Sequence, residues 1–106
     1  MRAKVGIPGA VALVTGAGSG IGRATAAALA RCGAKTILAV DINEVTDRVT
    51  ADSCRDQGAE AAAYYCDMAD GDSVVRLAEK IEAELGPVDF LVNIAGVGMS
   101  GRFMDM

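Results

Sequence analysis

A chain of 106 residues is long enough for one domain and too short for two. The apolar fraction of 52% comes mainly from Ala, Val, Leu and Ile with few aromatics, the mixture expected of helices packed closely on a parallel sheet. A net charge of −4 with singly scattered Lys and Arg argues against a nucleic-acid partner, and no apolar run approaches the roughly 20 residues of a membrane span.

The amino-terminal stretch, residues 1–9, has charges but no apolar segment of signal-peptide length. Cys32, Cys54 and Cys66 are odd in number and lack CxxC spacing, and with no histidine in the chain they complete no metal site. They read as buried small hydrophobes in a reducing compartment, which places the protein in the cytoplasm.

In chain order, four short apolar runs read as strands buried on both faces: Val11–Val14, Thr36–Val40, Ala61–Cys66 and Phe90–Ile94. The first helix starts between Ser19 and Ile21, turns Ile21, Ala24, Ala28, Leu29 and Cys32 inward, and stops at Gly33. The second is capped by Asn43, carries Val45, Val49 and Ser53 as its stripe and ends at Gly58. Val74, Leu77, Ala78, Ile81 and Leu85 form the face of the third, which has Asp70 and Asp72 near its start and Gly86-Pro87 at its end. Alternation of this kind is βαβαβαβ, and right-handed crossovers then give a doubly wound α/β sheet of four strands in the order 3-2-1-4 with three helices. Two helices cover one face and the third the other, leaving the fourth strand as an apolar edge. Residues 1–106 form a single domain.

The glycines of Thr15-Gly16-Ala17-Gly18-Ser19-Gly20-Ile21-Gly22 follow the first strand and open the first helix. Gly16 permits the turn, Gly20 lets a diphosphate approach the backbone, and Gly22 allows close helix packing. The amides of Ser19, Gly20, Ile21 and Gly22, at the positive end of the helix, suit that anion. Asp41 closes the second strand, nineteen positions after Gly22. A carboxylate there accepts from both hydroxyls of an adenosine ribose and repels a 2′-phosphate, which favours NAD over NADP. Arg23 is already inside the helix and the next basic residue after the second strand is Arg48, so no cation reverses the preference.

Thr15 to Gly22, as TGxxxGxG, resembles the cofactor loop of the short-chain dehydrogenase/reductase family. Cys66-Asp67-Met68 resembles the family's adenine-binding segment, and Asn93-Ile94-Ala95-Gly96 its Asn-Asn-Ala-Gly, with Ile94 in place of the second Asn. The resemblance implies a Rossmann-type fold and an NAD-dependent oxidoreductase acting on an alcohol or ketone. It implies that Ile42 follows the ribose carboxylate at the cofactor, that Asp67 accepts from the adenine amino group while the Met68 backbone contacts the ring, that Asn93 braces the sheet, and that Ala95 and Gly96 pass beside the nicotinamide ribose. Hydride transfer in the family needs a Tyr with a Lys four residues on and a substrate-positioning Ser. Tyr64 and Tyr65 are followed at that distance by Met68 and Ala69, and Ser100 comes too early, so no catalytic residue is assigned and the chain corresponds to the family's cofactor-binding half. The segment that builds the substrate pocket and the usual homo-oligomer contacts is missing from such a half. A non-catalytic NAD-binding module and a Rossmann methyltransferase are the alternatives, the second disfavoured by the loop spacing and by Asn93.

Overall fold

Strands made of Val, Ile, Leu and Ala, with no wet face, are stable only where helices cover both sides, and the connections between them must then cross over. The computed structural model, which describes residues 6–94, has this form. Its elements are β1 (Val11–Thr15), α1 (Gly20–Arg31), β2 (Thr36–Asp41), α2 (Glu44–Asp56), β3 (Glu60–Tyr65), α3 (Gly71–Leu85) and β4 (Phe90–Asn93). The sheet is parallel throughout in the order β3-β2-β1-β4, which is the expected Rossmann-type arrangement. The third strand begins one residue earlier than its apolar run predicts. Ser19, Asn43 and Asp70 cap the three helices through side-chain oxygens that accept first-turn amides.

Register separates the two faces. Leu13 lies beside Leu38 and Leu91, and Thr15 beside Val40 and Asn93, while the alternate residues Ala12, Val14, Ile37 and Ala39 join Ala26 and Ala30 of α1 and Cys54 of α2 in the main core. On the opposite face α3 is anchored by buried Ile81. Between α3 and the sheet lies an apolar cavity of about 450 Å³, lined by Leu13, Val40, Met68, Leu77, Ile81 and Leu91 among others. Leu91, on edge strand β4, is 69% exposed.

The helix faces correct two expectations. In α1 the buried residues are Gly22, Ala26 and Ala30, not the stripe from Ile21 to Cys32; Ile21 and Cys32 are exposed, and Leu29 only flanks the core. Small residues four apart let the helix axis approach the strands, so the large side chains are turned aside. In α2 the inward residues are Asp47, Thr50, Ala51 and Cys54, whereas Val45 and Val49 face solvent. On that face Thr50 donates to the glycine loop at Ala17 O, alongside apolar Ala51 and Cys54. All three cysteines are free thiols, of which Cys54 and Cys66 are buried.

Candidate functional site

Four strand ends converge at the carboxyl edge of the sheet, and the chain's direction of winding reverses across β1, between β2 and β4. A crevice at that reversal is where an open parallel sheet presents backbone donors to a ligand. Gly16 adopts φ 67°, turning the chain out of β1, and the Ala17 amide donates to Val40 O at 3.1 Å, fastening the loop to β2. Ser19 donates its hydroxyl to Gly16 O at 2.8 Å and accepts from the Gly22 amide at 3.2 Å.

The glycines differ in what surrounds them. A Cβ on Gly22 would fall onto the Gly16 carbonyl oxygen and lie 2.7 Å from its carbon, so this glycine is required by contact between helix and loop. On Gly18 a Cβ would stand 2.5 Å from Thr46 Oγ1 and 3.1 Å from the Asp41 carboxylate. Around Gly20 there is nothing within 4 Å. Its neighbours in the first turn of α1 add the positive end of the helix dipole to this open space.

Asp41 is held from both sides. Oδ2 accepts from the Gly18 amide at 2.8 Å and Oδ1 from the Asn43 amide at 2.9 Å. Capping of α2 falls to Asn43, whose side chain accepts from Val45 and Thr46, so Asp41 is not the helix cap. An ionised carboxylate offers about four acceptor sites, of which these two amides use one each. Ile42, next in the chain, is exposed.

The Cys66 amide donates to Asp41 O at 3.1 Å, which carries the β2–β3 ladder forward and brings Asp67 to the same edge. Asp67 Oδ1 accepts from the Ala69 amide at 3.0 Å, a turn that fixes the side chain, and half-buried Met68 lines the cavity under α3. At the end of β4, Asn93 Oδ1 accepts from the Thr15 hydroxyl at 2.8 Å, tying the carboxyl ends of β1 and β4 together. Ala95 and Gly96 lie outside the described residues.

Several residues that sequence reasoning passed over hold this edge in place. Thr50 is fully buried; its hydroxyl donates to Ala17 O at 2.7 Å and accepts from Arg23 Nε at 3.0 Å. Arg23 also donates from its terminal nitrogen to Thr46 O at 3.1 Å, so its guanidinium is committed to bracing α1 against α2. A polar residue on a helix gave no sequence signal for this, because its partner is a carbonyl 33 positions away. Asp47, on the same face, is buried with neither carboxylate oxygen hydrogen-bonded.

Lys80 Nζ stands 5.7 Å from the Tyr64 ring centroid, and burial together with Glu84 pushes the Tyr64 phenol above its usual range, the wrong direction for proton transfer near neutrality. Tyr65 is exposed. Among the described residues no group of three or more His, Cys, Asp or Glu could hold a metal ion, and no helix is long and apolar enough to cross a membrane.

Comparison with known proteins agrees with this geometry. Residues 10–106 match the family model described as short chain dehydrogenase. "Probable oxidoreductase EphD" of Mycobacterium tuberculosis is 44% identical over 110 residues, an alignment covering 99% of this chain and 18% of that protein. The crystal structure of NAD+-bound xylitol dehydrogenase superposes with a TM-score of 0.76 at 38% identity, over 80% of this chain and 32% of that one. A metagenomic short-chain oxidoreductase in complex with NADP superposes with a TM-score of 0.74 at 32% identity, over 79% and 38% respectively. The chain thus spans well under half the length of each of these relatives.

Proposed function

The chain belongs to the short-chain dehydrogenase family, and on that premise we propose that residues 1–106 are one NAD-binding domain serving an oxidoreductase that moves a hydride between NAD and an alcohol or ketone. The observation that carries the NAD reading is the Asp41 carboxylate, fixed by the Gly18 and Asn43 amides at the end of β2. So held, it presents its remaining lone pairs to a ribose 2′,3′-diol and its charge against a 2′-phosphate. Arg23 is engaged with Thr50 and Thr46 and supplies no counter-charge.

The residues present fit the dinucleotide. The open backbone at Gly20, with Gly16, Ser19, Ile21 and Gly22, receives the diphosphate. Asp41 and Ile42 take the adenosine ribose and its adenine edge, Asp67 and the Met68 backbone the adenine ring, and Asn93, Ala95 and Gly96 the nicotinamide side. When bound, the nicotinamide supplies the hydride acceptor or donor. This stretch contributes binding and orientation, with Asn93 and Thr15 holding the β1 and β4 ends at a fixed separation. The free thiols suit a reducing cytoplasm.

Calorimetric titration of the chain with NAD, NADP and S-adenosylmethionine tests the reading. NAD binding that is abolished by Asp41→Ala, with weaker NADP and no S-adenosylmethionine binding, is expected. NADP binding as tight as NAD removes the specificity argument, and S-adenosylmethionine binding alone removes the redox one.

A further inference from the structure

Asp47 is the polar side chain that the cofactor reading leaves without a task. It is 1% exposed, and neither of its oxygens has a hydrogen-bond partner, a costly state for an ionised carboxylate. It sits one turn into α2, whose cap Asn43 gives its amide to Asp41. Towards β3 it lines a small cavity of about 40 Å³ together with Glu44, Arg48, Ala63, Tyr64 and Tyr65.

The charged and titratable groups around it are few. Asp41 reaches it from the end of β2, Glu44 and Arg48 flank it on α2, and Cys54 is further along the same helix face. From β3 come Tyr64 and Tyr65, while Arg23 of α1 is committed to Thr46 and Thr50. None of them is a bonded cation for Asp47; the one anionic neighbour felt most strongly is Asp41. Burial raises Asp47 from its ordinary 3.8 to about 7, with the Asp41 charge adding to this and the Tyr64 backbone N–H opposing.

We propose that Asp47 is a proton-linked positioning residue for Asp41: neutral, it lets the first turn of α2 stay seated on β3 and hold the Asn43 amide on the ribose carboxylate; ionised, it sets a second buried anion behind that carboxylate and loosens the corner. The ribose role of Asp41 rests on the function proposed above, but the coupling between the two carboxyl groups does not. A bound dinucleotide adds negative charge at this corner, so binding favours neutral Asp47 and takes up a proton; affinity therefore falls as pH rises.

The chain has no histidine, the side chain that ordinarily titrates close to pH 7. Amide NMR of the full chain from pH 5.5 to 8.5 is expected to move the Gly18 and Asn43 resonances with a midpoint near 7, and Asp47→Asn and Asp47→Leu are each expected to abolish the inflection. Calorimetry over the same range is expected to show NAD held about fivefold more weakly at the alkaline end by the wild type and no such slope in Asp47→Asn. Flat Gly18 and Asn43 resonances in the wild type, or an unchanged inflection in a folded Asp47 variant, overturn the coupling. Absence of NAD binding at every pH with the inflection intact defeats the proposed function and leaves the coupling standing.

Discussion

Alanine at Gly22 and at Gly20 should separate the packing role of the glycine loop from its ligand role. At Gly22 the added methyl meets backbone atoms of Gly16 and Ala17, which cannot rotate aside. Either α1 or the loop must move, and a clash with backbone this close belongs in the upper part of the overpacking range, about 2–3 kcal/mol, offset by about 1 kcal/mol of improved helix propensity. A net loss of about 1–2 kcal/mol is expected in urea denaturation of the cofactor-free chain. At Gly20 nothing lies within 4 Å, so the same substitution should leave stability unchanged or raise it by up to about 1 kcal/mol. NAD affinity should behave in reverse: the Gly20 methyl occupies space that a diphosphate uses, and a loss of tenfold or more, about 1.4 kcal/mol, is expected from calorimetry. Wild-type NAD affinity in Gly20→Ala would show that the diphosphate does not pass there. Wild-type stability in Gly22→Ala would refute the packing argument.

Thr50→Val removes the donor to Ala17 O and the acceptor for Arg23 while keeping the shape, and should lower stability by about 1–3 kcal/mol in denaturant melts. Asn93→Ala unties the carboxyl ends of β1 and β4 and strips the Thr15 hydroxyl of its 2.8 Å acceptor; a loss of about 1 kcal/mol is expected, with faster hydrogen exchange confined to those two strand ends. Asp47 makes stability depend on pH in a direction unusual for a carboxyl group. Its folded value, about 7, lies above its unfolded 3.8, so its contribution is fully present below pH 3.8, is lost as pH rises towards 7 and changes little beyond. The whole effect is at most about 4 kcal/mol, and Asp47→Asn should remove it, read as a denaturation midpoint that no longer falls between pH 5 and pH 8.

The order of elements, the cap at Asn43, the strand order and the glycine loop were legible in the sequence. Each depends on local chemistry: side-chain oxygens that suit helix starts, glycines that suit turns, and apolar runs whose length fits strands buried on both faces. Asp41, Asp67 and Asn93 were legible as site candidates for the same reason, since residues that end parallel strands are brought to one edge by the topology itself.

Tertiary packing alone decided which faces of α1 and α2 turn inward. Apolar periodicity favours Ile21 and Val45, yet the closest approach between helix and sheet admits only Gly22, Ala26 and Ala30, and Thr50 is drawn inward by a carbonyl on the glycine loop. The burial of Asp47 follows from that choice of face and could not be read from its neighbours in the chain. Sequence determines the elements and their ends because those are short-range; which side chains share a buried surface depends on the separation between elements, and that is fixed only when the backbones of loop, helix and sheet come together.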